Sequence, residues 1–253
     1  LFKQIEEIAP SSQPILITGE SGVGKELIAE AIHKASNVKG VYKTTNIAAH
    51  EKELLSSILF GYVKGAFTGA EKENDGLIKA AEGGTLFLDE IGDMSNEAQQ
   101  KLLRALDPGV YEKVGGTDTL RCKARIIAAT NKDLYALSNK NKFRHDLLNR
   151  FIYKISIPPL RERRGDLILL LNHFFQLASK ELNKPLPVMT GKIMSLLKTY
   201  SFPNNIRDLK NMVYNGISSI DYNGTLPLSI FQQYMKENPG HINERDIIHP
   251  GSA

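Results

Sequence analysis

Ile15-Leu16-Ile17-Thr18-Gly19-Glu20-Ser21-Gly22-Val23-Gly24-Lys25-Glu26 is the stretch that decides the fold. Its first four residues are apolar or β-branched and make a short buried strand. Gly19, Gly22 and Gly24 then make a tight turn, and Leu27, Ile28, Ala31 and Ile32 follow at helical spacing as the buried stripe of a helix. A glycine-rich turn between strand and helix lets backbone N–H groups close around phosphate oxygens at the positive end of the helix, while Lys25 reaches the outer phosphates. A glycine-rich turn can also bind nothing, but here strand, loop and helix all stand where phosphate binding requires them. Glu26 replaces the Ser or Thr whose hydroxyl usually helps to hold Mg²⁺.

Outward from this loop the same theme repeats: a short apolar strand, a turn, then a helical pattern. Val41 to Ile47, Thr85 to Leu88, Ala124 to Ala129 and Ile155 to Ile157 read as further strands. Alternating strands and helices predict an α/β fold, a parallel sheet sandwiched by helices; continuously apolar Leu86-Phe87-Leu88 and Ile126-Ile127-Ala128 suit strands buried on both faces. The polar, proline-broken run Pro158-Pro159-Leu160-Arg161-Glu162-Arg163-Arg164-Gly165 marks a boundary. Residues 1–160 are expected to form the nucleotide-binding subdomain. Residues 161–253 form a linker and small helical lid, with helices over Asp166 to Leu182, Gly191 to Tyr200, Asn205 to Ile220 and Leu228 to Lys236. Asp89 and Glu90 close the apolar run Leu86-Phe87-Leu88. Adjacent carboxylates there can be a solvated strand end, but beside a phosphate loop they suit Asp89 as Mg²⁺ ligand and Glu90 as the group orienting the attacking water.

Composition narrows the classes. The chain has 253 residues, 42% of them hydrophobic, enough for one large and one small domain. Lys and Arg number 32 against 28 Asp and Glu; a net charge of +4, spread along the chain, neither demands nor excludes nucleic acid. The single Cys122, between Arg121 and Lys123, cannot make an internal disulfide; it reads as an exposed strand edge and fits a reducing compartment. No apolar run approaches the roughly 20 residues that span a bilayer, and the N-terminus shows only the amphipathic Leu1, Phe2, Ile5 and Ile8 rather than a signal pattern. A cytoplasmic protein without membrane contact is expected. His33, His50, His145, His173, His241 and His249 show no metal-ligand spacing, which sets a zinc enzyme aside.

Four stretches carry a family resemblance: Gly19 to Glu26; Gly65-Ala66-Phe67-Thr68-Gly69-Ala70; Gly83-Gly84-Thr85-Leu86-Phe87-Leu88-Asp89-Glu90-Ile91; and Phe143 to Arg150. Together they resemble the central AAA+ domain of bacterial enhancer-binding proteins, the sigma-54-dependent transcriptional activators, in unbroken order from about Ile8 to about Ile220. The hexapeptide is the most specific signal, since other AAA+ ATPases lack it, and the family's loop commonly ends Gly-Lys-Glu, as Gly24-Lys25-Glu26 does. The resemblance implies a Mg²⁺-dependent ATPase in which Lys25 binds phosphate, Asp89 and Glu90 are the Walker B pair, and Asn46 restrains Glu90. By itself Asn46 could be a turn residue. Asn131, in Ala128-Ala129-Thr130-Asn131, resembles the first sensor, although it could equally cap the helix begun by Lys132-Asp133-Leu134. Arg144 and Arg150, six apart on a polar helical segment, resemble arginine fingers donated to a neighbour's ATP; without the family they read as solvated surface charges. Arg207 resembles the second sensor, which swings the lid over ATP. Phe202-Pro203-Asn204-Asn205 stands where the family usually has Trp-Pro-Gly-Asn.

The same resemblance implies a partner, the sigma-54 subunit of RNA polymerase, engaged by the Gly65 to Ala70 loop of a homo-oligomeric ring, expected to be a hexamer, to open the closed promoter complex. Two glycines flank Phe67 and Thr68, which offer one apolar contact and one hydrogen bond; Lys64 and the polar Glu71 to Gly76 argue for a solvent-facing tip, against Phe67 folding into the core. Ile58 stands where the family often has glutamate. Gly109 to Gly116 resembles the family's second surface loop and reads as a hairpin. Relatives find their enhancers through a helix-turn-helix domain, expected to be absent from this chain because one clear helix follows Ile220. Other readings are a nucleotide-binding module without turnover, another AAA+ machine, or a small-molecule kinase. Glu90 with the two arginines weighs against the first, the hexapeptide against the second, and the second sensor in a helical bundle against the third.

Overall fold

The computed structural model describes residues 2–220 and 224–239; Leu1, residues 221–223 and residues 240–253, with His241 and His249, lie outside the described residues. The chain divides into two units, Leu1–Gly19 with Gly24–Ile157, and Glu20–Val23 with Pro158–Ala253.

In the first unit, helix α1 (Phe2–Ile8) precedes strand β1 (Ile15–Thr18) and helix α2 (Lys25–Ala35). Strand β2 (Tyr42–Asn46) leads through a 3₁₀ turn to α3 (Lys52–Phe60) and α4 (Gly76–Ala80), and β3 (Thr85–Asp89) leads through a second 3₁₀ turn to α5 (Asn96–Leu106). A short ladder of β4 (Val110–Tyr111) and β5 (Leu120–Arg121) comes before β6 (Arg125–Thr130), α6 (Leu134–Asn139), α7 (His145–Leu148) and β7 (Tyr153–Ser156). The main sheet runs β2-β3-β6-β1-β7, and every pairing in it is parallel. The central strands are buried along nearly their whole length, which suits the apolar runs Leu86–Leu88 and Ile126–Ala129, whereas edge strands β2 and β7 are mostly exposed, with Thr45 and Ile155 their buried residues.

Side chains alternate across a strand, so the sheet builds two cores. Leu16, Leu86, Leu88, Ile126 and Ala128 face one side, where Leu55, Leu59, Phe60, Ile78, Leu102, Phe143 and Leu147 cover them. Ile15, Ile17, Phe87 and Ile127, also buried, face the side on which α2 packs against β1, β3 and β6. The expected stripe of α2 needs correction. Leu27 is 65% exposed, and Ile28 and Ala31 are only half-buried. The buried residues are Lys25, Ala29 and Ile32, because turning Lys25 inward fixes the face at i, i+4 and i+7. Cys122 also departs from expectation. It is partly buried against the core, its Sγ lies 3.7 Å from the Ala124 carbonyl oxygen, and burial pushes its thiol pKa up.

In the second unit, α8 (Leu167–Glu181), α9 (Gly191–Thr199), α10 (Ile206–Ser218) and α11 (Leu228–Glu237) enclose a core of Leu171, Phe175, Ile193, Leu197, Leu209, Met212, Val213, Ile217 and Phe231. Thr190 caps α9 by accepting the Ile193 N–H. Among the described residues no helix is long and apolar enough to cross a membrane.

Phe87, on the central strand β3, is 1% exposed, so Phe87→Ala leaves a cavity under α2. It should cost about 3–5 kcal/mol, measured as a lowered denaturant midpoint at unchanged slope.

Candidate active site

The parallel sheet brings the residues after β1, β3 and β6 to one edge, the carboxyl ends of the strands, where α/β folds bind ligands. There Lys25 is 8% exposed, and its Nζ donates to the Gly19 carbonyl at 3.0 Å and lies 4.0 Å from Glu90 Oε1. Asp89 ends β3 and accepts its neighbour's N–H, Glu90 N to Asp89 Oδ1 at 3.0 Å. Glu90 adopts a left-handed backbone with φ 53° and ψ 47°, uncommon for a residue with a side chain; such conformations persist where surroundings enforce them and concentrate at functional sites. Its Oε2 accepts the Asn131 N–H at 3.2 Å. Lys25, Glu90 and the Asn131 segment therefore meet, with Asp89 adjacent.

Several expected residues take other positions. Asn46 stands opposite Asp89 in the β2–β3 ladder, but its Oδ1 accepts the Ala48 N–H at 2.9 Å as the cap of a 3₁₀ turn, and it makes no hydrogen bond with Glu90. The alternative role for Asn131 does not form: the cap of α6 is Asp133, which accepts from Tyr135 and Ala136. Arg144 and Arg150 do not share a helix. Arg144 precedes the one-turn α7 and Arg150 lies beyond its end. Arg144 is bidentate to Asp146 at 3.0 and 2.7 Å, and Arg150 reaches Asp107 at 2.8 Å; both side chains are exposed and neither contacts Lys25 or Glu90. Glu26 is exposed in the first turn of α2.

Glu20–Val23 belong to the helical unit and find their partners within it. Arg161 grips Glu20 with two hydrogen bonds, at 2.8 and 2.5 Å, and chiefly these hold the Glu20 carboxyl below the usual range. Asn205 is fully buried; its Nδ2 donates to Glu20 at 3.1 Å and to the Ser21 carbonyl at 3.0 Å, while its Oδ1 accepts the Leu160 N–H at 2.8 Å. Arg163 donates to the Val23 carbonyl at 2.8 Å, Ile206 N to the Gly22 carbonyl at 3.0 Å, and Arg207 Nη1 to Ser21 Oγ at 3.2 Å. Sequence reading singled out Arg207 and missed Arg161, Arg163 and Asn205. The two arginines sit in a charged stretch that reads as linker, and pairing across more than a hundred residues leaves no periodic mark. Asn204, in the departed Phe202 to Asn205 motif, is tied instead to the buried Asp208 carboxylate through its N–H at 2.7 Å and its side-chain amide at 3.1 Å.

The hexapeptide crowns a stem. Tyr62 and Asn74 exchange backbone hydrogen bonds at 2.9 Å, and Gly61 and Gly76 approach so closely that a Cβ on Gly61 would stand 2.3 Å from Asn74 O and one on Gly76 2.3 Å from Gly61 N. Gly65 and Gly69, at φ 83° and 97°, have open space where a Cβ would go. Phe67 is 41% exposed and leans on Tyr62, ring centroids 4.9 Å apart, so it is neither in the core nor fully detached. The expected hairpin over Gly109 to Gly116 is longer: β4 pairs with Leu120–Arg121, and Val114 instead bonds to Gly61 and Val63 of the stem. Lys113, nearly buried, reaches Glu73 at 2.6 Å and Asp75 at 2.5 Å, bracing the stem's returning side.

Residues 1–157 match the Sigma-54 interaction domain, and residues 161–246 match the AAA+ ATPase lid domain. The chain belongs to the sigma-54 interaction domain family. Within it, the regulatory protein AtoC of Escherichia coli (strain K12) is 46% identical over 219 residues, covering 86% of this chain and 48% of that protein. The Psp operon transcriptional activator of the same strain is 42% identical over 220 residues, covering 86% of this chain and 68% of that protein. The chain thus spans about half to two thirds of the relatives' lengths. NtrX from Brucella abortus in complex with ADP superposes with TM-score 0.83 at 32% identity, over 90% of this chain and 51% of that one. NtrX with ATP gives 0.81 over 90% and 53%. These matches establish a sigma-54-dependent activator domain of AAA+ fold.

Asn205→Ala strands the buried Leu160 N–H and forces alanine into φ 55°, ψ −126°. Unfolding of the helical unit, followed by circular dichroism in denaturant, should show a loss of about 2–3 kcal/mol.

Proposed function

We propose that the chain hydrolyses ATP and uses the cycle to remodel sigma-54 RNA polymerase at the closed promoter complex through the Gly65 to Ala70 loop. The observation that carries this reading is the meeting of Lys25 with a Glu90 carboxylate held in a left-handed turn, in a unit that also projects Phe67 from a braced stem far along the chain. ATP phosphates would take the N–H groups of Gly19, Glu20, Ser21, Gly22, Val23, Gly24 and Lys25, with Lys25 Nζ leaving the Gly19 carbonyl for the outer phosphates. Arg207, already on Ser21 Oγ, would report phosphate binding to α10.

The donor set suits a hard cation held mainly by its substrate: Asp89 supplies one carboxylate at the strand end, and Glu26 supplies no hydroxyl. Mg²⁺ there would neutralise charge developing on the transferred phosphoryl group. Glu90 would orient the attacking water, and Asn131 would sense the γ-phosphate. Asn46 accepts from Ala48 here, so to restrain Glu90 it would have to give up that 3₁₀ cap.

Arg144 and Arg150, exposed and paired with Asp146 and Asp107, suit donation to the ATP of an adjacent copy, so a homo-oligomeric ring, a hexamer, is part of the proposal. The nucleotide complexes of NtrX support ATP as the substrate class. Action in the cytoplasm, and enhancer recognition by a segment beyond residues 1–253, complete the reading; domain limits of 1–160 and 161–253 are proposed as its functional division.

Glu90→Gln should keep nucleotide affinity and lower ATP turnover by at least about a hundredfold, measured by phosphate release across protein concentrations. Retained turnover would remove Glu90 from its role. Phe67→Ala should leave turnover within about twofold while abolishing open-complex formation with sigma-54 polymerase. Equal loss of both would count against a loop devoted to partner contact.

A further inference from the structure

The ladder between β3 and β6 ends at Leu88 and Ala128; the strands run on to Asp89 and Thr130 along their other neighbours and then leave as two separate turns, residues 90–93 and 131–132. These turns carry Glu90 and Asn131. Three contacts rejoin them: Asn131 N donates to Glu90 Oε2 at 3.2 Å, the Lys132 stem lies over Gly92, and Lys132 Nζ forms an ion pair with Asp93. The packing is close, since a Cβ on Gly92 would stand 3.0 Å from Thr130 Oγ1 and 3.1 Å from Lys132 Cδ. The far side of the second turn is fixed as well. Thr130 Oγ1 accepts the Lys132 N–H at 3.1 Å, and the Thr130 carbonyl accepts the Gly19 N–H at 3.3 Å, at the root of the phosphate loop. Lys132 is thus the last residue of a rigid segment whose side chain reaches back to the Glu90 turn.

We propose that Asp93 and Lys132 are a positioning pair: by pinning one turn to the other they keep the Asn131 N–H against Glu90 and so set the direction in which Glu90 presents its carboxylate to the attacking water. The proposal rests on the ATPase reading above. Neither side chain touches substrate; both act through Glu90. A bland surface ion pair is the competing explanation, because the side chains are 40% and 34% exposed and such pairs contribute little to stability. Little stability is at stake, so the pair's effect is to be read in turnover. A carboxylate displaced by a fraction of an ångström still allows nucleotide to bind but misdirects the water.

The test compares steady-state ATP hydrolysis by the wild-type chain, Asp93→Asn, Lys132→Met and the double exchange Asp93→Lys with Lys132→Asp, at several protein concentrations. Lys132→Met keeps the stem over Gly92 and removes only the charge. Each single variant should lower kcat about tenfold, with KM and the Kd for a fluorescent ADP analogue within about twofold and Tm within about 3 °C of wild type; the exchange should recover most of kcat. Wild-type kcat in both single variants would overturn the pair, as would a loss that the exchange leaves unrecovered or that is matched by weaker nucleotide binding. A wild-type chain that hydrolyses no ATP at any concentration would sink the ATPase reading and this one with it. That result is distinguishable from failure of the pair alone, which leaves the wild type active.

Discussion

Parallel pairing of β1 between β6 and β7 is the constraint from which the site follows. In a parallel sheet every strand delivers its successor residues to the same edge, so Gly19, Asp89 and Asn131, far apart in sequence, leave the sheet side by side. The Gly19 N–H to Thr130 carbonyl bond extends the β1–β6 register one step beyond the strands and carries that order into the loops. A one-residue slip would invert the faces of β1 and β6, bury the wrong side chains and misalign the loop with its carboxylates.

Electrostatics then sets how the site behaves. A nearly buried ammonium is tolerable only with acceptors close by, and Lys25 has a carbonyl from its own loop and a carboxylate 4.0 Å away. Several phosphate oxygens would compete for the same ammonium, whose acceptors can be exchanged for charged ones. Glu20 is in the opposite condition. Two hydrogen bonds from Arg161 and one from Asn205 saturate it, so it acts as a fixed anchor of the loop and not as a reacting group.

Much of this was legible in the sequence because it rests on local periodicity: four-residue apolar runs, a glycine turn, a carboxylate pair closing a strand. The α/β class, the sheet strands within a residue or two, and the four helices after the linker all came from such patterns. Leu27 misled because apolar spacing cannot tell which face an inward-turned Lys25 will choose. The hairpin at Gly109 misled because Val114 finds its backbone partners in Gly61 and Val63, fifty residues upstream. Arg161 and Asn205 escaped notice for the same reason: each acts through contacts of long sequence separation, and their own neighbourhoods look like an ordinary charged linker and a helix start.

The four glycines of the hexapeptide segment fall into two kinds. All four have positive φ; at Gly61 and Gly76 lack of room also demands glycine, since a methyl group would meet backbone at 2.3 Å, whereas at Gly65 and Gly69 the sign of φ alone demands it, with nothing nearby to strike. The first pair locks the two sides of the stem together as a rivet does, and the second turns the head, which is closed by the Gly65 N–H to Ala70 carbonyl bond at 2.8 Å and the Ala70 N–H to Phe67 carbonyl bond at 3.0 Å. The segment is built like a stylus, with a tightly joined shaft and Phe67 at its point.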